Sequence, residues 1–326
     1  MLTALVVLAF QAADWSLPAA RGCTSAEVRE LIAPPDAVDT PYRLVCRARL
    51  DGASITRRVL IEGAEASGAG IDCGGGGIGR PGARTTTQAP TVAIGSRRID
   101  GPSPIWSRPT DVTLSRCTIH GAVRIWGMGA GGRIDDLRAS SRTPGHTAAA
   151  QDAAPSHVTL DGIMFAATGS IPLYVGPGVT RTTVSGAQFT GRSDSTAIYL
   201  DAESGGAVIR DSNFDIVSAR EQIAIDGSAG NRVTGNRFAL RGRGGVFLYR
   251  NCGEDGVIRR QTPSGNSITD NVFTGAGRIR PRTVVVGARE GNRRYCGDDR
   301  GWPFGSSVDD GDHATGNVVA CNRVER

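Results

Sequence analysis

In the stretch STAIYLDAES (Ser195–Ser204), two carboxylates, Asp201 and Glu203, follow an aromatic, Tyr199, at intervals of two residues. In a strand, alternation turns all three to one face and Ile198 and Leu200 to the other. EQIAID repeats the pattern and ends on Asp226, with Arg220 and Glu221 at its entrance. GVFLYRN ends on Tyr249, Arg250 and Asn251. Carboxylates gathered on one face share a proton, hold a cation or act as general acid and base. Tyr and Trp beside them are platforms on which a sugar ring stacks, and Arg matches a carboxylate through two N–H groups. The alternative is a solvated face, where water screens the repulsion between stacked acids.

These residues recur because the chain repeats. VSGAQF begins at Val184, IRDSNF at Ile209, VTGNRF at Val233 and ITDNVF at Ile268, each with Phe five positions on: Phe189, Phe214, Phe238 and Phe273. Each unit continues into a second apolar strand. The last interval is widened by the insertion CGEDGVIRRQTPSG, and weaker copies, VTLSRCTI and VTLDGIMF, lie upstream. A unit of about 25 residues with two short β-branched strands, Gly/Asn/Asp turns and no helical period buries its apolar face only by stacking on its neighbours. Asn213, Asn236 and Asn271 stand where stacked amide ladders are expected. The expected fold is all-β, a right-handed parallel β-helix.

With the second strands aligned on Ile125, Leu173, Leu200, Ile225, Leu248 and Val286, one outward column reads Trp126, Tyr174, Asp201, Asp226, Tyr249 and Gly287. The column two residues earlier includes Arg124, Pro172 and Tyr199, and the one two residues later includes Glu203, Asn251 and Arg289. The expected site is therefore an exposed stripe. Asp201, Asp226, Tyr249, Arg250, Glu203 and Arg220 supply the chemistry, and Trp126, Tyr174, Tyr199, Glu221, Asn251 and Arg289 supply binding. Asp201 and Asp226 also offer themselves to a calcium ion.

Residues 50 to 320 resemble the bacterial right-handed parallel β-helix proteins, among them pectate lyases, polygalacturonases, alginate lyases and mannuronan epimerases. The resemblance implies a polysaccharide, preferably anionic, as partner, and elimination or C5 epimerisation of a uronate as the activity. Glycoside hydrolysis by paired carboxylates is the alternative, followed by non-catalytic binding of glycan or protein. Specific motifs do not match: GHT at Gly145–Thr147 is not the Gly-His-Gly of polygalacturonases, and the chain has no Lys to act as a lyase base.

The rest of the chain frames this repeat. Of its 326 residues, 37 are Lys or Arg, all of them Arg, against 32 Asp and Glu. A net charge of +5 without a basic run does not imply nucleic acid. Residues 1–20 open with the apolar run Leu2–Phe10 followed by small residues, the pattern of a secretory signal, and no segment is long enough to span a bilayer. With seven Cys, this points to a periplasmic or secreted protein. Cys252–Cys296 is the expected disulfide, since both open similar loops, and Cys23 and Cys46 are placed to bracket a helix. CxxC is absent and only four His occur, which argues against zinc. Residues 21–49 are expected to form an N-terminal cap, with Thr24 and Glu27 as a capping box, and 50–326 the coil. GGGGIGRPG and ASSRTPGHTAAAQDAAPSH are expected as projecting loops. The oligomeric state is not legible.

Overall fold

A computed structural model of the chain describes residues 20–101, 105–129, 134–241, 244–251, 256–275, 282–292, 294, 309 and 311–325. The chain winds as a right-handed parallel β-helix with three long sheets. Nine strands form what we call the site sheet, from Tyr42–Arg43 through Val123–Trp126, Leu173–Val175, Ile198–Leu200, Glu221–Asp226 and Gly244–Tyr249 to Arg282–Val286. Among the described residues the phenylalanine sheet has eight strands, including Gln188–Ser193 and Asn213–Ser218, and the aliphatic sheet nine, including Thr183–Ser185 and Val208–Arg210. All pairs within these three sheets are parallel. The strands are short because each coil turns sharply at residues such as Arg181, Asp211 and Asp270, which hold left-handed φ values of 53–58°. Asp tolerates that region at turns better than a β-branched residue would.

The repeat becomes columns of identical contacts. Phe165, Phe189, Phe214, Phe238 and Phe273 stack with ring centroids 4.5–4.8 Å apart, the spacing of neighbouring strands. Val184, Ile209, Val233 and Ile268 line up on the aliphatic sheet, each at most 1% exposed. At the corners Asn236 donates to Asn271 Oδ1 (3.0 Å), and Asn271 donates to Asn322 Oδ1 (2.9 Å). A second ladder joins Asn231, Asn266 and Asn317. Asn213, expected in a ladder, is exposed on its strand, and Ser212 takes its place by donating its N–H to Asn236 Oδ1.

At the N-terminus the helix α1 (Ser25–Ile32) starts at the expected capping box, with the Glu27 side chain accepting from the Thr24 N–H. Its Leu31 is fully buried in the core shared with the first coils, and Gly22 pairs with Arg47 on the edge of the aliphatic sheet. Coil strands already begin at Tyr42 and Arg47, inside the segment expected as cap. The expected secretory segment, apart from Ala20, lies outside the described residues. No helix among the described residues is long and apolar enough to cross a membrane.

Among the described residues the disulfides are Cys23–Cys46 and Cys73–Cys117, and Cys321 is free and exposed. The first is the bracket around the helix, while the second crosslinks neighbouring coils and was not anticipated. The expected Cys252–Cys296 pair lies outside the described residues. Thiol titration of the unfolded, unreduced protein is expected to find no more than three of the seven cysteines free; a count of seven would overturn both bridges.

One segment expected as a projecting loop is helical. Within residues 134–153 lie α2 (Ile134–Ser141) and α3 (His146–Ala153). The run TAAAQDAA has strong helix formers, and its propensity outweighs the loop character of SSRTPGH before it. Together with the hairpin Arg97–Ile99 and Ile105–Ser107 and with Val257, these helices build a second apolar cluster of Met128, Leu137, Ala150 and Ala153. That cluster covers the outer face of the site sheet.

Candidate active site

The covering layer turns the expected open stripe into a cavity. Asp201 is 6% exposed, Asp226 0%, Glu203 1% and Tyr249 1%. Between the site sheet and the layer of α2, α3 and residues 256–261 lies a cavity of about 350 Å³. Its wall contains Trp126, Tyr174, Asp201 and Glu203 of the expected site, and also His146 and Arg259. Ile134, Leu137, Met128, Val257 and Ile258 complete it on the apolar side.

The stacking of carboxylates is real, and the covering layer resolves it. Ile223, Ala224 and Ile225 pair with Ile198, Tyr199 and Leu200, which brings Asp201 and Asp226 to successive coils. Arg259 reaches down from the insertion and bridges them: Nη1 donates to Asp201 Oδ1 at 2.6 Å and to Asp226 Oδ2 at 3.0 Å. Tyr174 and Tyr199 each donate a hydroxyl hydrogen bond, to Asp201 Oδ2 and Asp226 Oδ2 respectively. Backbone N–H groups of Ala202 and Asn251 fill the other oxygens at 2.8 and 2.7 Å. Burial nevertheless raises the Asp226 carboxyl above its ordinary range, with Arg259 opposing the shift.

Tyr174 is two residues away from its expected column, on the same face. Val123 pairs with Leu173 and Leu173 with Ile198, so Tyr174 stands beside Arg124 and Tyr199, where Pro172 was expected. Leu173 and Val175 are both inward and apolar, so alternation alone does not separate two registers that differ by two residues and keep the same face.

Glu203 and His146 form the other pole of the cavity. The Glu203 backbone is left-handed (φ 63°), and its carboxylate accepts from the N–H groups of Arg260 (2.7 Å) and Gln261 (3.1 Å) and from the Thr147 hydroxyl. It thereby ties the insertion to α3. His146, 1% exposed, has Nδ1 2.9 Å from Ser140 Oγ and Nε2 4.0 Å from Glu203 Oε1. That Nε2 is buried and has no hydrogen-bond partner. Burial lowers the imidazole pKa below its usual value; Glu203 pulls the other way and Arg260 reinforces the lowering.

Other expected site residues gather outside this cavity. Tyr249 donates to Glu221 Oε1 (2.7 Å), and Arg220 donates to both, at 2.8 Å to Glu221. Arg289 lies 4.2 Å over the Tyr249 ring and also donates to Asn251 Oδ1. Arg250, 5% exposed, pairs with Asp309, and its backbone N–H donates to Asp312. The arginines expected to meet an acidic sugar thus already hold partners within the fold. Asp201 and Asp226 do not fit the calcium expected of them either, because Arg259 stands where a bridging cation would, and N–H and O–H donors take the remaining oxygens.

His146 and Arg259 are the residues that sequence reasoning missed. Both stand in segments that interrupt the repeat, the GHT-bearing stretch and the CGEDGVIRRQTPSG insertion. Interruption was the available signal: a long excursion beside the strand ends that carry Asp201, Asp226 and Tyr249 has those residues within reach.

No family model and no curated protein matches the chain. Among solved structures it is similar to the enzymatically active domain of tailspike protein 2 from bacteriophage CBA120, with a TM-score of 0.35 and 11% identity over 88% of this chain. The chain spans 43% of that domain's length. It is also similar to the Streptococcus pneumoniae surface adhesin PfbA, with a TM-score of 0.35 and 10% identity over 85% of this chain and 89% of that one. A DFA-IIIase from Arthrobacter chlorophenolicus A6 follows, with a TM-score of 0.32 and 12% identity over 80% of this chain and 60% of that one. At these scores no residue or activity carries across.

Proposed function

We propose that the protein is an exported carbohydrate-active enzyme that takes one unit of a uronate-containing glycan into the covered cavity and removes its C5 proton. The observation that carries this reading is His146 Nε2, a buried, unpartnered nitrogen in a cavity wall whose carboxylates are all engaged. A neutral imidazole with a free lone pair is a general base. In elimination it takes the C5 proton as the C4–O bond breaks and a C4–C5 double bond forms. Tyr174, whose hydroxyl donates to Asp201 Oδ2 in the resting site, lines the cavity and is the group that turns its proton to the leaving oxygen. In epimerisation the proton returns to the opposite face of C5. Arg259, whose Nη1 is held by Asp201 and Asp226, is the guanidinium of the wall and supplies the positive charge toward which the substrate carboxyl is drawn. Hydrolysis is less well served. Asp201 and Glu203 already accept three or more hydrogen bonds each, which leaves neither aimed freely at a glycosidic oxygen. The two disulfides agree with an oxidising compartment.

The test is a panel of polyuronates, their methyl esters and neutral glycans, run with and without a calcium chelator. Ultraviolet-absorbing unsaturated products, or deuterium taken from solvent at C5, are expected, and turnover is expected to survive the chelator because Arg259 already bridges the two aspartates. Reducing ends without unsaturation would replace elimination by hydrolysis, and binding without turnover would leave a glycan-binding protein.

A further inference from the structure

The loop of residues 79–91, which leads from the phenylalanine sheet to the site sheet, contributes to two cavities. Thr87 and Gln88 line the cavity described above, while Arg84, Thr85, Thr86 and Ala89 line a second one of about 110 Å³. The wall of this smaller cavity carries four guanidinium groups, Arg57, Arg58, Arg80 and Arg84, against one carboxylate, Asp39.

Two of the four are fixed in place. Arg58 donates to Asp39 Oδ2 (3.0 Å) and to the Asp39 carbonyl (2.6 Å). Arg57 donates to the carbonyls of Glu30 and Thr40 at 3.4 and 3.2 Å, with its guanidinium 5.7 Å from the Tyr42 ring centre. Arg57, and the Asp39 that holds Arg58, nevertheless each leave one buried atom unsatisfied. Arg57 Nε has no acceptor, and Asp39 Oδ1 has no donor. A buried polar atom without a partner costs about 1–3 kcal/mol. Arg80 and Arg84 are exposed, and their side chains form no ion pair or hydrogen bond among the described residues. Uncompensated like charges around a small concavity attract an oxyanion.

We propose that this cavity is a subsite for the acid group of a sugar, with a carboxylate or sulfate oxygen accepting from Arg57 Nε and an adjacent hydroxyl donating to Asp39 Oδ1. Arg80 and Arg84 close over the negative charge. Because the same loop walls both cavities, an acidic unit held here sets which neighbouring unit of the chain enters the reaction cavity. The acid group of this unit is then read at the subsite, separately from the carboxyl of the reacting unit beside Arg259. The sugar identity of the ligand rests on the proposed function, whereas the binding measured here does not depend on turnover.

The experiment is isothermal titration calorimetry of the full protein with D-glucuronate, inorganic sulfate and D-glucose. Glucuronate is expected to bind with an affinity that falls as salt rises, sulfate to compete with it, and glucose to give no heat. The R80Q/R84Q double variant, altered at exposed positions and expected to keep the parent's circular dichroism spectrum, is expected to lose about tenfold or more in glucuronate affinity. His146→Gln is expected to bind glucuronate as the parent does. Undiminished affinity in R80Q/R84Q, or equal affinity for glucose, overturns the subsite. Loss of glucuronate binding in His146→Gln alone also overturns it, by placing the acid group in the reaction cavity, and leaves the proposed reaction standing.

Discussion

Replacing Arg259 with Met is expected to lower the unfolding free energy by about 3–5 kcal/mol, the cost of leaving a buried ion cluster without one of its partners. The guanidinium is buried, and its Nη1 donates to both Asp201 and Asp226, so its removal leaves two neighbouring, largely buried carboxylates facing each other. The Tyr174 and Tyr199 hydroxyls and the N–H groups of Ala202 and Asn251 remain, but dipoles do not cancel the charge. The deficit has a defined pH dependence. Burial already raises Asp226 in the parent, so between its ordinary pKa and its folded one the folded state binds more protons than the unfolded state. Stability contributed there is lost as pH rises and regained as pH falls. Without Arg259 the shift grows, and the deficit of the variant shrinks on acidification. Urea unfolding of the parent and of R259M across pH 4 to 8 measures this, and D201N/D226N in the R259M background is expected to recover part of the loss. An R259M midpoint equal to the parent's at neutral pH would show that the bridge is not part of the fold's stability.

Substituting His146 with Gln is expected to reduce kcat/KM by about 10²–10⁴, the usual worth of a general base. Gln keeps a polar side chain beside Ser140 without a titratable nitrogen. A pH profile separates this role from packing. Burial lowers the imidazole pKa, so His146 stays neutral below the ordinary value of about 6.5 and loses its lone pair only as pH falls through the lowered one. The parent's acid limb is expected below about 6.5 and is expected to vanish in the variant. The groups facing the ring are Ser140, Glu203 and, by charge, Arg260; Thr147 follows it in α3 and also binds Glu203. In stability, the unfolded chain takes up a proton near pH 6.5 that the folded chain refuses, so the parent loses stability as pH falls from there and the variant loses less. Turnover that is unchanged in His146→Gln, with the same acid limb, would remove His146 from the chemistry.

What the sequence determined by itself is what neighbouring residues and a fixed period encode. Alternation in IYLD and IAID assigned the inward aliphatics and the outward Asp201 and Asp226 correctly, and the Phe spacing placed a ring column that the structure realises from Phe165 to Phe273. The Thr24–Glu27 box marked the start of α1 because both of its hydrogen bonds lie within one turn. Strand register over whole coils was less secure. At Leu173 two inward apolar residues serve equally, and only packing against Val123 and Ile198 chooses between them. The tertiary structure alone decided whether the outward face meets water. α2, α3 and residues 256–261 depart from the repeat and return over it through contacts between residues such as Arg259 and Asp201, 58 positions apart. No local pattern specifies such a return, because its energy lies in burying an apolar cluster and matching two aspartates with one guanidinium, and both partners must be in place before either gain exists.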